Sequence, residues 1–429
     1  MNYLDQKRFK LLQHFIPQGA SVFFRSRRLG ECVAESFKTN TVDQYEEGRG
    51  DVGADAGKQY DCLILDQVIG HVEDVQQLLI DHHALAHSRT QLVLTLSNGL
   101  YRLLPRKLNK GGASHNWLAV DDVKNLLELS GWEEVFTCHE QSFPFKIPFL
   151  SAFLERYILR LPLLEYFAST IVLIARPKVE RSEGQELPSC SIVVPVRNES
   201  GHIAAALERI PVLGGHTEVI FVEGNSKDDT WEVLQLACKE YDGPLELKYL
   251  QQPGIGKWDA VQAGFAVATG DLFVIQDGDL TAPPEDLPKF YNAVVNGDAD
   301  FANGSRLIYP MESEAMRFLN LLGNKFFALS LSWILRQKIK DSLCGTKMLR
   351  REDYERVRAV VKERLGDFDP FGDFTLLFGS AMLGLKMRDI PVRYKDRAYG
   401  TTNISRFQHG VILFKMTWFA LWRIRFFKY

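Results

Sequence analysis

Asp277 and Asp279, separated by Gly278 and preceded by the apolar run Leu272–Ile275, are the residues of this chain best suited to chemistry. The run reads as a buried strand, so both carboxylates leave its carboxyl end. Carboxylate oxygens are the ligands that Mg2+ or Mn2+ prefers. The glycine lets the backbone turn so that both face one ion, with positions left for phosphate oxygens. The same triplet occurs in ordinary turns, where an aspartate bonds its own backbone, so the surrounding elements must be weighed with it.

Those elements repeat strand, polar loop and helix. A strand at 191–196 leads into Arg197-Asn198-Glu199-Ser200. A second at 218–223 ends at Glu223 and leads into Gly224-Asn225-Ser226-Lys227-Asp228. The helix after it has Trp231, Leu234, Cys238 and Tyr241 at near-helical spacing. A third strand at 245–250 leads into Gln251-Gln252-Pro253-Gly254-Ile255-Gly256-Lys257, a helix from Trp258, and then the strand of Asp277. This order predicts a parallel sheet whose ligand site lies outside the carboxyl ends of its strands. Glu199, Glu223, Lys257, Asp277 and Asp279 then share one rim.

The bounds agree with an ordinary globular chain of two or three domains. The chain has 429 residues, 46% of them hydrophobic and 24% charged, and a net charge of −3 that argues against a general nucleic-acid binder. Six scattered cysteines suggest reduced thiols in a cytoplasmic setting, with neither a disulfide framework nor a zinc site. The opening residues lack an apolar signal core, and no apolar run reaches the ~20 residues needed to span a bilayer.

Before residue 176 a second α/β pattern is expected, with strands at 61–65, 91–96 and 170–175 and a helix at 121–129. Asp81-His82-His83-Ala84-Leu85-Ala86-His87 reads as part of an amphipathic helix carrying a solvent-facing histidine cluster. The stretch from Tyr60 to Asp74, with Ser21-Val22-Phe23-Phe24-Arg25-Ser26-Arg27-Arg28-Leu29-Gly30 before it, resembles a class I S-adenosylmethionine methyltransferase. Phe24 stands where that family has an acidic residue, and Ser26 and Arg28 stand where it has glycines. Small residues are needed where a backbone approaches a cofactor. The resemblance therefore implies a degenerate scaffold, and S-adenosylmethionine is not expected as a cofactor. Residues 177–189 are polar and aperiodic and read as a linker.

The second half carries a sharper resemblance. Val193-Val194-Pro195-Val196-Arg197-Asn198-Glu199, Val222-Glu223-Gly224-Asn225-Ser226-Lys227-Asp228, Gly254-Ile255-Gly256-Lys257 and Asp277-Gly278-Asp279 resemble, in order and spacing, a family 2 glycosyltransferase of the GT-A fold. Within it, Lys340-Asp341-Ser342-Leu343-Cys344-Gly345-Thr346-Lys347 and the segment from Asp389 to Thr402 are similar to enzymes that load mannose or glucose onto dolichyl or polyprenyl phosphate. The resemblance implies that Pro195, Arg197 and Glu199 lie along the nucleoside. By the same likeness Glu223 holds base or ribose, and Asp277 with Asp279 carries Mg2+ or Mn2+ on the donor diphosphate. Arg397 and Arg393 would face phosphate charge. Glu223-Gly224 replaces the two aspartates of many relatives, which leaves UDP- and GDP-linked donors open.

Asp373 is the candidate base for a hydroxyl acceptor; an anionic phosphate acceptor needs none. Its other reading is a helix N-terminal aspartate. Phe318–Leu335 and residues 410–422 are apolar stretches suited to core packing or to a membrane interface, the second followed by Arg423, Arg425 and Lys428.

The expected architecture is α/β, with two Rossmann-like domains, the second a GT-A nucleotide-sugar fold with a C-terminal apolar helix. Its boundaries are a degenerate methyltransferase-like domain at 1–176, the linker, a glycosyltransferase domain at 190–408 and an apolar, basic segment at 409–429. The expected activity is metal-dependent, inverting transfer from a nucleotide sugar to a polyprenyl phosphate or other lipid-linked glycan acceptor, by a cytoplasmic protein peripheral on the inner face of the membrane. Transfer to a hydroxyl of a surface saccharide, and a catalytically silent sugar-nucleotide-binding scaffold, are the alternatives.

Overall fold

Largely apolar runs form the central strands of two separate sheets, as expected where both faces of a sheet are covered. The computed structural model describes residues 9–13, 15–16, 19–26, 41–44, 57–98, 116, 118–140, 153–158, 160–162, 164–178, 186–306, 318–366, 369, 372–395 and 406–426. The chain divides into two compact units, residues 1–179 with 426–429 and residues 180–425.

The first unit contains β1 (Ser21–Ser26), β2 (Thr41–Gln44), β3 (Tyr60–Asp66), β4 (Ala86–Ser97), β5 (Trp132–Glu140) and β6 (Thr170–Pro177) in the spatial order β2-β1-β3-β4-β6-β5. Only β6 runs against its neighbours, pairing antiparallel with both β4 and β5. Helices α1 (Val75–His83) and α2 (Val120–Leu129) complete the alternation. Asp74 starts α1 by accepting the Gln77 N–H at 2.8 Å, and Asp122 accepts the Ala119 N–H at 2.8 Å ahead of α2.

The histidine reading needs correction here. Helix α1 ends at His83, and Val75, Leu78, Leu79 and His82 are its buried face. Their spacing is that of a core stripe, so His82 points inward, its Nδ1 2.7 Å from the Leu78 carbonyl. His87 belongs to β4 and lies 3.2 Å from Asp61. These three histidines form no solvent-facing cluster.

The second unit begins with β7 (Cys190–Val196), α3 (Ile203–Arg209), β8 (Thr217–Glu223), α4 (Thr230–Glu240), β9 (Glu246–Gln251), α5 (Lys257–Val267) and β10 (Leu272–Ile275). It continues through α6 (Leu287–Val295), β11 (Phe301–Ser305), α7 (Phe318–Leu335), β12 (Lys347–Arg350), α8 (Arg351–Arg364), α9 (Asp373–Met382), β13 (Met387–Pro391) and α10 (Arg406–Ala420). The strand order is β13-β11-β12-β10-β7-β8-β9. The expected parallel sheet is mixed: β12 lies antiparallel between β10 and β11, while the other pairs are parallel.

Period-two alternation along the strands divides this core into two layers. Val193, Ile220, Val222, Phe273 and Ile275 face Phe265, Tyr354, Phe374 and Phe378 on one side. Ile192, Val194, Val219, Phe221 and Val274 face Ile203, Leu234 and Phe290 on the other. Burying a phenylalanine such as Phe273 contributes about 1.5–3 kcal/mol. Its ring stacks on Phe265 at 4.7 Å. Gly264 lets α5 lie directly on β7, since a Cβ there would stand 2.5 Å from Val193 Cγ1.

Helices α7 and α10 pack on each other. Phe326 and Leu329 of the first, and Val411, Phe414 and Trp418 of the second, are exposed. Among the described residues no helix is long and apolar enough to cross a membrane.

Candidate functional site

Strands β7, β8, β10 and β11 deliver their carboxyl ends to one edge of the second sheet, and the reversal of β12 brings its first residue there too. Lys347 pairs in register with Ile275 of β10 and with Asn303 of β11. A lysine from late in the chain thus arrives beside the turn at Asp277.

That turn is tightly held. Buried Gln276 donates to the Ala282 carbonyl at 2.8 Å, closing the loop. Gly278 presses on the end of β7, where a Cβ would stand 2.7 Å from the Pro195 carbonyl oxygen. Asp279 Oδ1 accepts from the Thr281 hydroxyl at 2.8 Å and its N–H at 3.1 Å, so the turn geometry foreseen as the alternative is present around this carboxylate. Asp277 Oδ1 instead receives Lys257 Nζ at 2.6 Å. Lys257 is the first residue of α5, entered through Gly256 at φ 98°, a left-handed geometry that favours glycine.

Behind this pair stand two more. Lys347 Nζ is 2.8 Å from Asp373 Oδ1, with the lysine fully buried. Arg306 grips Asp341 with both ends of its guanidinium, at 2.7 and 2.9 Å, and lies over the Tyr394 ring. Burial alone would raise the Asp277 pKa. The charge and hydrogen bond of Lys257, with Lys347 and Arg306 behind it, hold that carboxyl below its usual range. Burial likewise opposes the Lys257 charge, but Asp277 and Asp373 raise its pKa. Asp373 is therefore part of the same electrostatic cluster, and it is also the first residue of α9, as its alternative reading had it.

The nucleoside-side candidates reach the same rim by another route. Pro195 is half-buried at the end of β7 and Arg197 is exposed. Asn198, at φ 54°, donates its N–H to Ser226 Oγ and accepts the Lys227 N–H, tying the loops after β7 and β8 together. Glu199 is buried 2.7 Å from His202 Nδ1. Glu223 is buried as well, accepting the Ser226 N–H at 2.5 Å and the Gln251 side chain at 3.4 Å. Both carboxylates brace the loops that form the rim. Arg393 is exposed, its N–H bonded to Asp286; Arg397 lies outside the described residues.

A divalent ion fits the donor chemistry. Asp277 and Asp279 are hard oxygen donors on one turn, and no group of three or more His, Cys, Asp or Glu residues that could hold a metal ion occurs among the described residues. One or two carboxylates completed by substrate phosphates is how Mg2+ is commonly held. Gly345 packs directly against the Asp277 carboxylate, where a Cβ would overlap it.

Lys347, Gly345 and Arg306 carried no assigned role in the sequence reading. The first two lie in a segment singled out there for resemblance, but nothing local shows that β12 runs backwards. Between α5 and α8, a groove of about 780 Å3 opens beside Trp258, lined by Ile255, Gln262, Arg358 and Lys362 among others.

An open α/β sheet with its acidic and basic side chains gathered at one edge defines a ligand-handling enzyme fold. Residues 191–358 match the model of the family described as Glycosyl transferase family 2. It is similar to the dolichol-phosphate mannosyltransferase of Pyrococcus furiosus, 31% identical over 222 residues that make up 50% of this chain and 59% of the relative. It is also similar to the dolichyl-phosphate hexose transferase of Haloferax volcanii, 28% identical over 226 residues, 52% of this chain and 90% of that protein. The chain thus spans less than two thirds of the first relative's length. Among solved structures, a glucosyl-3-phosphoglycerate synthase from Mycobacterium tuberculosis in complex with Mn2+, UDP and glucosyl-3-phosphoglycerate aligns with a TM-score of 0.40 and 18% identity, over 55% of this chain and 80% of that one.

Proposed function

We propose that the second unit transfers a hexosyl group, with inversion, from a nucleotide sugar to a polyprenyl phosphate at the edge defined by Asp277. The observation that carries this reading is the meeting of Lys257, Asp277, Lys347 and Asp373 within a family 2 glycosyltransferase domain. The names of the relatives supply the acceptor class.

In such a transfer an acceptor phosphate oxygen attacks the anomeric carbon from the face opposite the nucleotide. The bond from that carbon to the diphosphate breaks, and its electron pair goes to the diphosphate oxygen. Lys257 is placed to stabilise that charge. Asp277 and Asp279 would hold a divalent ion, which when bound supplies Lewis-acid charge to the leaving group. Pro195 and Arg197 line the nucleoside side, on loops braced by Glu199 and Glu223, and Arg393 and Arg397 answer the phosphate charge. A phosphate acceptor brings its own anion and needs no base. The second reading, a saccharide hydroxyl acceptor, is favoured by the placement of Asp373 within the charged cluster, where it would take the hydroxyl proton.

The exposed apolar faces of α7 and α10, with Lys415 and Arg423 exposed nearby, suit the interfacial region of a membrane and support a peripheral location; the inner face is the side proposed. The first unit is read as a methyltransferase-like scaffold without cofactor binding. Phe24 is buried there and the Ser26 hydroxyl is spent on Asp66 at 2.7 Å. Undetectable S-adenosylmethionine binding is the expected result.

Titration calorimetry against UDP- and GDP-sugars, with and without Mn2+, tests the donor site. Metal-dependent binding of one nucleotide sugar, lost in Asp277→Ala, is expected, and so is metal-dependent turnover lost in a folded Asp279→Ala. A folded protein that binds no sugar nucleotide under any condition would overturn the enzymatic reading, and metal-dependent binding without turnover would favour the silent scaffold. Full turnover by Asp373→Asn on a hydroxyl acceptor would remove Asp373 as base.

A further inference from the structure

Three consecutive residues at the head of α5 each hold a different segment. Lys257 pairs with Asp277, and Asp259 accepts the Gly254 N–H at 2.7 Å. Trp258, between them, packs its indole on Gly372. Successive side chains on a helix diverge by about 100°, so one turn of α5 fixes three directions at once.

Gly372 is doubly constrained. Its φ of +80° is left-handed, and a Cβ there would lie 2.5 Å from Trp258 Cδ2 and 2.7 Å from Cζ3, with Cε3 closer still. It caps α9, whose first residue is Asp373 and whose N–H at Thr375 is received by the buried Asp369 carboxylate at 2.7 Å. The chain entering α9 is therefore held by the left-handed turn, the Asp369 carboxylate and the indole. Of these, only the indole comes from the element that also carries Lys257. The two ion pairs feel each other: Asp373 raises the Lys257 pKa and Lys347 helps to lower that of Asp277.

We propose that Trp258 is a positioning residue. By seating Gly372 it sets the Asp373–Lys347 pair against the Lys257–Asp277 pair, and so governs the transfer step more than donor binding. Its turnover consequence rests on the hydroxyl-acceptor form of the glycosyltransferase reading, in which Asp373 takes the acceptor proton; its structural consequence does not.

The test compares Trp258→Phe, which keeps a ring against Gly372, with Trp258→Ala, which removes it. Labelling of the full chain with an amine-reactive reagent, read by mass spectrometry, reports Lys347, with buried Lys386 as the control for general loosening. Lys347 should stay protected in wild type and Trp258→Phe. In Trp258→Ala it should label about tenfold faster, with Lys386 unchanged, as expected for a local opening. Continued protection of Lys347 in Trp258→Ala, or a parallel rise at Lys386, would overturn the proposal.

Donor affinity and turnover form the second arm. In Trp258→Ala the dissociation constant for the nucleotide sugar should stay within about twofold while turnover falls about tenfold or more, with Trp258→Phe largely restored, as for a displaced reacting group. Equal losses in affinity and turnover, or none, would overturn it. A wild-type protein that binds donor but transfers to no acceptor would count against the glycosyltransferase reading alone, and the labelling result would then decide the role of Trp258.

Discussion

Lys347 Nζ lies 2.8 Å from Asp373 Oδ1, with the lysine side chain fully buried and the aspartate 9% exposed. The lysine also donates to the Cys344 carbonyl. A buried pair loses most when one partner is removed, because the other is left charged in a poorly solvated place. Lys347→Met should therefore destabilise the second unit by about 3–5 kcal/mol. Adding Asp373→Leu should recover much of that loss. Urea denaturation of the single and double variants measures it, and losses that simply add would show that the pair is not coupled.

Gly345 faces the Asp277 carboxylate at a distance where a Cβ would overlap it. Gly345→Ala must push Asp277 aside or open the Lys257 pair, a crowding effect of about 1–3 kcal/mol in stability. Donor binding should suffer more, falling about tenfold or beyond, since the displaced group is the one proposed to hold the metal. Calorimetry with a nucleotide sugar and Mn2+ checks this. Unchanged affinity would separate Asp277 from the donor site.

Much of this edge was legible in the sequence because its signals are local. The run Leu272–Ile275 is apolar throughout and buried, and Asp277 leaves its carboxyl end as the pattern required. The loops after β7, β8 and β9 follow their strands in the same way. What escaped depends on contacts between distant segments. Strand β12 is only Lys347–Arg350, with a basic residue at each end, and its direction is set by pairing with β10 and β11. Lys347 therefore drew no assigned role, although it is wholly buried beside Asp373. The Trp258–Gly372 contact joins positions far apart in the chain, and no periodicity reports it. His82 was legible in principle: its spacing from Val75, Leu78 and Leu79 marks the buried face, but the neighbouring histidines drew the reading towards solvent.

Glu218 lies near the start of β8, towards the opposite end from Glu223, and receives Lys248, the Ser191 hydroxyl and the Thr269 N–H. Burial opposes its charge, yet these partners hold its pKa down to about 2. The folded value is depressed, so its stabilisation is full above the ordinary value near 4.5 and is lost as pH falls towards 2. That linkage is worth about 3 kcal/mol. Glu218→Gln should weaken the second unit at pH 7 by a similar amount, and the gap from wild type should narrow by pH 3. Urea midpoints at the two pH values read it, and a gap that stays constant would mean that the carboxylate charge is not what stabilises this end of the sheet.

His82 gives the first unit a different acid response. Burial pushes its pKa down to about 4, outweighing the Leu78 carbonyl that favours the charged ring, while Arg25 adds to the fall. The folded value again lies below the unfolded one, near 6.5. Stability from the neutral imidazole is therefore complete above about 6.5 and disappears as pH falls through 4, a loss of about 3 kcal/mol. His82→Phe keeps an aromatic ring beside Phe23, whose centroid is 5.5 Å from that of the imidazole, and removes the titration. The first unit of this variant should show a flatter stability profile between pH 6.5 and 4, whatever its stability at pH 7. Hydrogen exchange of β1 and β3 amides, followed across that range, separates this unit from the second, where the Glu218 loss sets in at lower pH. An unchanged slope in His82→Phe would assign the acid sensitivity of the first unit to other groups.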